Sequence, residues 1–279
     1  MNKDLIIDAG KTGVEIALLE DKRLVELHQG NSESTHLVGD IYLGQVKKLL
    51  PGLNAAFIDV GSKKDGFLHY LDLGLYYKAL EKFTKICMSG GGDSMDFAKL
   101  KEQKLEKSGK IVETLKQGQV ILVQVSKEAI STKGPRLCTE ISFAGRYLVL
   151  VPFSEKVSVS QKIKSAEERN RLRKLIKSIK PDNFGIIIRT IAEGKSVAEL
   201  DADLKDLLSK WESIKKKLPK ALPPTKLVSE LDKSSVILRD MLTEEFNNVY
   251  VNDADLYEEL KGYISSICPE KEDILHLYK

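Results

Sequence analysis

Alternating apolar and polar positions are densest between residues 39 and 70. A strand has a side-chain period of two, so residues 55–60 place Phe57 on the face opposite the aliphatic residues Ala56, Ile58 and Val60. A turn at residues 61–64 follows, and residues 66–70 repeat the pattern with Phe67 and His69 opposite Leu68 and Tyr70. The pattern predicts two neighbouring strands, each with a phenyl ring on its polar face.

The two phenyl rings follow a basic pair, Lys47 and Lys48. Exposed rings over an electropositive groove are what single-stranded nucleic acid needs, because each stacked base contributes about 1–3 kcal/mol. The segment therefore predicts a nucleic-acid platform. The alternative is that Phe57 and Phe67 cover the edge of a hydrophobic core, which the spacing alone leaves open.

Short strands and helical repeats alternate along the rest of the chain. Before residue 39 the pattern predicts a three-strand meander, with turns at residues 10–13 and 20–22. Helical spacing runs from Leu75 to Met88, and the Lys- and Glu-rich segment from Met95 to Lys116 is expected to be helical or partly disordered. Strands are predicted at residues 119–126, at 137–151 with a bend at Ala144-Gly145, at 184–188 and at 248–251. Further helices are predicted at residues 161–180, 196–217, 227–242 and 253–268.

Composition narrows the function classes without naming one. The 279 residues carry a net charge of only +3, so affinity for nucleic acid must come from local lysine clusters, such as the one from Lys101 to Lys110. Cys87, Cys138 and Cys268 are far apart, which argues for a reducing compartment and against a structural zinc site. Because no apolar run approaches the length of a membrane span and the first residues lack a signal-peptide core, we expect a cytoplasmic protein without membrane contact.

A second function class is suggested by residues 8–13, DAGKTG. This segment looks like the first phosphate loop of sugar kinases and actin-like ATPases, in which an aspartate ends a strand before a glycine-rich turn. Such folds need further nucleotide motifs, and nothing after residue 220 resembles them. A hairpin turn between two strands is the simpler interpretation.

A family resemblance covers nearly the whole chain. The run GDIYLGQVKKLLPGLNAAFIDVGSKKDGFLH, the pairs Lys127-Glu128 and Lys133-Gly134, and the segments SFAGRYLVLVP, FGIIIRT and ILHLYK resemble the amino-terminal part of the ribonuclease E/G family, with a preference for the ribonuclease G branch. The resemblance implies an α+β protein in which an RNase H-like unit is interrupted by an OB-fold β-barrel and a small α/β 5′-sensor unit. We expect the RNase H-like unit at residues 1–37 and 220–279. The OB-fold is expected at 38–127, with an inserted helical loop at about 74–116, and the sensor unit with a connecting helix at 128–219.

The resemblance also implies roles for individual residues. Lys133 matches the lysine that holds the RNA backbone beside the two aromatic residues Phe57 and Phe67. Gly145, Val149, Arg189 and Thr190 match a pocket for the 5′-monophosphate of RNA. The chemistry fits, because a guanidinium grips phosphate bidentately, while a hydroxyl and a glycine N–H supply further donors. From the residues alone, Arg189 pairing with a nearby carboxylate such as Glu193 is the favoured interpretation, and only the family resemblance favours the phosphate pocket. Gln161-Lys162 replaces an arginine pair common in relatives, which weakens the expected phosphate contacts.

The chain contains no convincing catalytic constellation. In the family, Mg²⁺ is held by two aspartates of a DNase I-like subdomain, and a zinc link lies further on; both are expected only in a longer member. We therefore expect the RNA-binding and 5′-monophosphate-sensing portion of a single-strand-specific endoribonuclease of RNA processing and decay, inactive in cleavage alone. Its partner is single-stranded RNA, and the longer protein is expected to be a homo-oligomer. The alternatives are a stand-alone RNA-binding adaptor and, less favoured, an ATPase using Asp8 to Gly13.

Overall fold

The computed structural model describes residues 2–10, 13–31, 36–92, 95, 100, 104–231, 233–241, 246–267 and 269–278. Lys11, Thr12, Lys101 and Cys268 lie outside these ranges. The chain is a mixed α+β protein that divides into two compact units: Met1–Ser34 with Leu231–Lys279, and Thr35–Glu230. Within the described part of the chain, no helix has the length and apolar character needed to cross a membrane.

The first unit is built on one five-stranded sheet in the order β15-β14-β1-β2-β3. The strands are β1 (Lys3–Gly10), β2 (Gly13–Glu20), β3 (Arg23–Asn31), β14 (Phe246–Val251) and β15 (Leu275–Leu277). β1, β2 and β3 form an antiparallel meander, whereas β14 and β15 run parallel to β1. Helices α5 (Lys233–Met241) and α6 (Ala254–Ile267) belong to the same unit. Alternation decides which side chains enter the core: Leu5 and Ile7 of β1 are buried, as are Ile16 and Leu18 of β2.

The second unit contains a closed five-stranded barrel, consistent with an OB-fold. Its strands are β4 (Ile41–Leu50), β5 (Ala55–Asp59), β6 (Gly66–His69), β7 (Val120–Lys127) and β8 (Arg136–Cys138). The hydrogen-bonded order is β4-β5-β6-β8-β7, and pairing of β7 with β4 closes the ring. Alternation again fills the interior, with Ala56, Ile58 and Leu68 fully buried. Closure leaves the barrel without an open edge between β7 and β4.

The segment between β6 and β7 carries helix α1 (Tyr77–Met88) and the short helix α2 (Ile111–Thr114). Asn54 fixes the end of this segment on the barrel, because its side chain donates to the Gly109 carbonyl (3.1 Å) and accepts from the Ile111 N–H (2.6 Å). Of the predicted helical stretch from Met95 to Lys116, the described residues form only α2.

A four-stranded sheet and two long helices complete the second unit. The sheet has the order β11-β12-β10-β9, formed by β9 (Phe143–Ala144), β10 (Leu148–Pro152), β11 (Val157–Val159) and β12 (Phe184–Ile188). Helices α3 (Ala166–Ile179) and α4 (Val197–Lys217) contribute to the same hydrophobic core. At its centre Trp211 is fully buried and stacks on Phe83, with ring centroids 4.4 Å apart. The lone tryptophan is thus a packing residue, as its position in an apolar helical stripe predicts.

Asp40 is hydrogen-bonded to residues at both ends of the second unit. Its carboxylate is fully buried and accepts hydrogen bonds from the backbone N–H groups of Leu37 (3.1 Å) and Glu230 (2.9 Å). Lys226 Nζ lies 2.7 Å from the same carboxylate. A buried charge needs such partners, since an unpaired one would cost several kcal/mol. Burial and the neighbouring Asp40 both raise the pKa of Tyr42, whose hydroxyl donates to the same group.

The structure differs from the sequence-based expectations at three places. The predicted barrel ends at residue 127, but its fifth strand, β8, lies beyond that point. The expected long strand 137–151 is divided into β8, β9 and β10, because backbone N–H groups between β9 and β10 bond to a side chain instead of a neighbouring strand. The predicted helix 227–242 is instead β13 (Thr225–Val228) followed by α5, because β13 pairs with β4 and joins the second unit.

Candidate nucleic-acid interface

Phe57 and Phe67 lie side by side on the outer face of the barrel. They are direct partners in the register of β5 and β6, and their ring centroids are 6.2 Å apart with the planes at 69°. Their neighbours along each strand are fully buried, whereas both rings are half-buried. An edge-to-face pair that leaves ring surface accessible is a stable arrangement on a sheet and offers apolar area to a flat ligand.

The loop before β8 contains Lys133 and is hydrogen-bonded to Phe67. The Pro135 carbonyl accepts from the Phe67 N–H (2.8 Å), and the Lys133 N–H donates to the Ile130 carbonyl (3.0 Å). Gly134 allows the close approach, since a Cβ at this position would lie 2.1 Å from the Asp65 carbonyl oxygen. The Lys133 side chain is exposed at this loop. Lys133 is thus an exposed residue of a loop that is hydrogen-bonded to Phe67 through Pro135.

Lys47 and Lys48, the two lysines before the platform, lie in different environments. Lys47 Nζ lies 2.9 Å from Asp65 and 3.2 Å from Asp59, and hydrogen bonding to these carboxylates raises its pKa. Lys48 is exposed and is the register partner of Phe57. Among the described residues, Lys48 has neither a hydrogen bond nor an ion pair from its side chain. A β-bulge between Val46 and Lys48 separates the two lysines in this way.

The second predicted site is organised around the loop between β9 and β10. Asp203 of α4 accepts hydrogen bonds from three consecutive backbone N–H groups, those of Arg146 (3.0 Å), Tyr147 (3.0 Å) and Leu148 (2.9 Å). Gly145 is required beneath this carboxylate, because a Cβ there would lie 2.6 Å from both carboxylate oxygens. Burial raises the pKa of Asp203, and the three backbone hydrogen bonds act in the opposite direction.

Sequence reasoning missed Asp203, although a signal was present. The buried face of α4 consists of residues three and four apart: Leu200, Leu204, Leu207, Trp211 and Ile214. Asp203 falls within this stripe, three residues after Leu200 and four before Leu207. A carboxylate at such a position must find donors within the fold, which distinguishes it from the solvated acids of the same helix.

Arg189 is held against the same loop. Its Nη1 donates to the Gly145 carbonyl (2.7 Å), and its backbone N–H donates to the Tyr147 carbonyl (2.8 Å). The residue follows β12 directly and is half-buried. The guanidinium has five N–H donors, and the bond to the Gly145 carbonyl fixes its position at this loop. The structure thus brings Arg189 and Gly145 into direct contact.

Thr190 and Val149 complete the predicted set. The Thr190 hydroxyl lies 2.8 Å from the Ser160 hydroxyl, and both side chains are half-buried. Val149 on β10 is the register partner of Ala144 and of Ile187, so it lies where β9, β10 and β12 meet. The expected glycine donor is not free: the Gly145 N–H donates to the Leu148 carbonyl (2.8 Å). In this structure the Gly145 N–H is therefore used within its own loop.

Two further cationic residues, Arg146 and Lys195, lie at the same loop. They were not predicted as site residues from the sequence. The Arg146 guanidinium lies 5.7 Å from the centre of the Tyr147 ring, and Lys195 Nζ lies 5.6 Å from it. Both distances allow a cation–π interaction. Lys162, from the pair that departs from the family pattern, is two residues from Ser160 and donates its backbone N–H to the Ser160 hydroxyl (3.3 Å).

The segment that looks like a kinase phosphate loop lies between β1 and β2. Gly10 and Gly13 are register partners in an antiparallel pair, as a hairpin connection requires. Asp8 accepts a hydrogen bond from the side chain of Asn252, which also accepts from the Ala9 N–H (2.7 Å). The Asp8 carboxylate is thus used within the first unit.

No group of three or more His, Cys, Asp or Glu side chains suited to a metal ion occurs among the residues that the structure describes.

The chain is similar in sequence to known ribonucleases. A family model described as the Ribonuclease E/G family matches residues 142–279. Ribonuclease G of Escherichia coli (strain K12) is 33% identical over 278 residues, covering 100% of this chain and 53% of that protein. Ribonuclease G of Haemophilus influenzae is 33% identical over 275 residues, covering 99% of this chain and 52% of that protein. Ribonuclease E of a Nostoc species is 37% identical over 232 residues, covering 83% of this chain and 30% of that protein. The chain spans about half the length of the ribonuclease G relatives.

Proposed function

Because the chain belongs to the Ribonuclease E/G family, we propose that it is the RNA-binding and 5′-monophosphate-sensing portion of a single-strand-specific endoribonuclease of RNA processing and decay. The observation that carries the proposal is the pair of half-buried rings, Phe57 and Phe67, on the outer face of the barrel. Every base has a π-face, so stacking on such rings binds RNA without demanding a sequence.

Three features support an RNA platform at this surface. The rings are direct neighbours on adjacent strands, at the spacing at which strands present side chains to one ligand. Lys133 is exposed on the loop bonded to β6, where its ammonium group can attract the phosphate backbone. Lys48 adds a second exposed ammonium group on the opposite side of Phe57. Stacking would supply affinity, and the lysines would add a salt-dependent term.

The 5′-phosphate site is proposed at Gly145, Val149, Arg189 and Thr190. The support is geometric, because Arg189 is bonded to the Gly145 carbonyl and followed by the Thr190 hydroxyl. A guanidinium can bind two oxygens of a terminal phosphate, and the hydroxyl can bond a third. Asp203 acts as a positioning residue, since it holds the loop from which the Gly145 carbonyl orients Arg189. Lys162 is proposed to supply charge in place of the missing arginine pair.

We propose an RNase H-like architecture for the first unit. Support comes from its strand order: an antiparallel meander β1-β2-β3 is followed, on the other side of β1, by β14 and β15 in parallel. The proposed role of this unit is structural support. The antiparallel pairing of Gly10 with Gly13 and the internal partner of Asp8 favour this role over an ATP site.

The decisive experiment compares two RNAs on this chain. A ten-nucleotide oligouridine with a 5′-monophosphate and the same oligomer with a 5′-hydroxyl would be titrated by fluorescence anisotropy at one fixed salt concentration. We expect tighter binding of the monophosphate, and we expect Arg189→Lys to remove most of the difference, because lysine lacks the bidentate fork. Arg173→Lys, at a half-buried arginine of α3 that donates to Asn170, is the matched control and should leave the difference intact.

The platform is tested with the 5′-hydroxyl RNA alone. Phe57→Leu and Phe67→Leu should each weaken binding by about 5- to 150-fold, the equivalent of about 1–3 kcal/mol for one stacked base. Leucine preserves the apolar volume, so loss of stacking is separated from loss of folding, which the fluorescence of Trp211 reports. RNA binding that is unaffected by both changes would contradict the proposal.

The remaining parts of the proposal concern the longer protein. We propose that cleavage resides outside this chain and that the longer protein is a homo-oligomer in the cytoplasm. Incubation of the purified chain with single-stranded RNA and Mg²⁺ tests the first point, and detectable cleavage would contradict it. A stand-alone RNA-binding adaptor would bind RNA through Phe57 and Phe67 without discriminating the 5′ end. An ATPase would bind ATP, and its Asp8→Ala variant would lose that binding.

A further inference from the structure

The register of the barrel aligns more than the two rings. Phe57 pairs with Lys48 on one side and with Phe67 on the other, Phe67 pairs with Arg136, and Arg136 pairs with Lys127. Each of the five barrel strands therefore contributes one residue to a single continuous row. In strand order the row is Lys48, Phe57, Phe67, Arg136 and Lys127, and we call it the transverse row.

Register partners project to the same side of a sheet, so the whole row faces outward with the two rings. The burial pattern agrees, because Lys48, Arg136 and Lys127 are exposed, while Leu137, the neighbour of Arg136, is fully buried inside the barrel. Adjacent strands are about 4.8 Å apart, so the row extends over roughly 19 Å of the barrel surface. The two rings at its centre have one cationic residue on one side, Lys48, and two on the other, Arg136 and Lys127.

The cations of the row differ in how they are held. Among the described residues, the side chains of Lys48 and Lys127 make neither hydrogen bonds nor ion pairs. Arg136 is fixed by Asp72, which accepts from its Nε (3.0 Å) and Nη2 (3.1 Å). Nearby Lys47 is in contrast paired with two aspartates. The row thus offers two mobile ammonium groups at its ends and one oriented guanidinium beside Phe67.

We infer that the transverse row is the path of single-stranded RNA across the barrel, with two bases on Phe57 and Phe67 and phosphates at Lys48 on one side and at Arg136 and Lys127 on the other. This inference rests on the proposed RNA-binding function and adds the direction of the strand and three contact residues. A backbone that crosses the strands of the barrel meets these groups in succession, whereas one running along β5 or β6 meets only one ring.

Salt dependence is the readout that distinguishes phosphate contacts from stacking. Each phosphate contact to a single strand adds about 0.7 to the slope of log K against log salt concentration. The double variant Lys48→Gln/Lys127→Gln should therefore reduce the slope by about 1.4 and weaken binding at low salt. The probe is the ten-nucleotide oligouridine with a 5′-hydroxyl, which removes the 5′-phosphate site from the measurement.

The matched control is Lys85→Gln/Lys205→Gln, which removes the same charge from two exposed lysines of α1 and α4 that pair with Glu81 and Asp201. We expect its slope to stay within about 0.3 of the wild-type slope. Adding Arg136→Gln to the Lys48→Gln/Lys127→Gln variant should lower the salt-dependence slope by about 0.7 more. Trp211 fluorescence confirms that each variant is folded.

Two results would overturn the inference. If the row variant and the control have equal slopes while Phe57→Leu still weakens binding, the proposed function stands and the path is wrong. If Phe57→Leu and Phe67→Leu leave binding unchanged, the proposed function fails and the path fails with it.

Discussion

Replacing Asp203 by alanine should weaken the second unit more than any other single change of an acidic residue in α4. The carboxylate accepts from three consecutive backbone N–H groups of the loop between β9 and β10. Arg146 and Leu148 are buried, and Tyr147 is half-buried. Each buried donor left without an acceptor costs about 1–3 kcal/mol. Because water can reach part of this loop, we take the lower bound for all three and expect a loss of about 3 kcal/mol in the free energy of unfolding.

Asp203→Asn separates the charge from the shape. One amide oxygen accepts at most two hydrogen bonds, and the amide nitrogen would face a donor, so we expect a smaller loss of about 1–3 kcal/mol. Asp201→Ala is the control, since Asp201 lies in the same helix and pairs with Lys205 at the surface. It should change stability by less than about 0.5 kcal/mol.

Urea unfolding followed by tryptophan fluorescence measures these differences directly. The chain has one tryptophan, and Trp211 of α4 is fully buried in the core, so its signal reports the second unit alone. A loss of about 3 kcal/mol corresponds to a midpoint lower by roughly 1–2 M urea. If Asp203→Ala and Asp201→Ala unfold at the same midpoint, the three N–H groups have other acceptors and the reasoning is refuted.

Three further predictions concern single groups. Hydrogen bonds from Ser196 at the start of α4 lower the pKa of Glu199 to about 2 from its ordinary 4.5, so its contribution is present above pH 4.5 and is lost as the pH falls toward 2. Glu199→Gln should therefore cost about 1 kcal/mol in urea unfolding at pH 7 and nothing near pH 2; a cost that persists at low pH would contradict this assignment. Burial raises the pKa of Cys138 to about 11, so its alkylation by iodoacetamide at pH 8 should be far slower in the native chain than in urea, and equal rates would contradict the burial argument. Gly134→Ala should lower the free energy of unfolding by about 1–3 kcal/mol and weaken RNA binding, because a Cβ would meet the Asp65 carbonyl and displace Lys133. Unchanged urea unfolding and unchanged RNA binding would show that the loop accommodates the Cβ without cost.

Local periodicity predicted which side chains of β5 and β6 face the core. A period of two along residues 55–60 and 66–70 is enough to place Phe57 and Phe67 outside and Ile58 and Leu68 inside. The buried strand before Arg189 and the long amphipathic helix before residue 218 were predictable for the same reason. In each case one segment carries the whole signal.

Elements that depend on distant partners were not predictable. β8 has only three residues and pairs with β6 and β7, so local sequence predicted a strand there but not its place in the barrel. β13 lies in a stretch with helical spacing, but its pairing with β4 outweighs that propensity. The role of Asp203 likewise depends on a loop more than fifty residues earlier in the chain. The single long strand expected at residues 137–151 is wrong because that loop takes its hydrogen bonds from this side chain.

The contact between Asp40 and the Glu230 N–H has a consequence for how the discontinuous first unit assembles. Its two segments are separated along the chain by residues 35–230, a loop on the order of 200 residues, and bringing the ends of such a loop together has an entropic cost that rises with its length. Once the second unit has folded, its ends are joined by this hydrogen bond of 2.9 Å, and the effective loop is only a few residues long. The two loop lengths differ by about five doublings. Prior folding of the second unit therefore lowers the loop-closure cost of the first unit by about 3 kcal/mol. A chain whose second unit folds first therefore presents the two outer segments to each other almost as a continuous polypeptide.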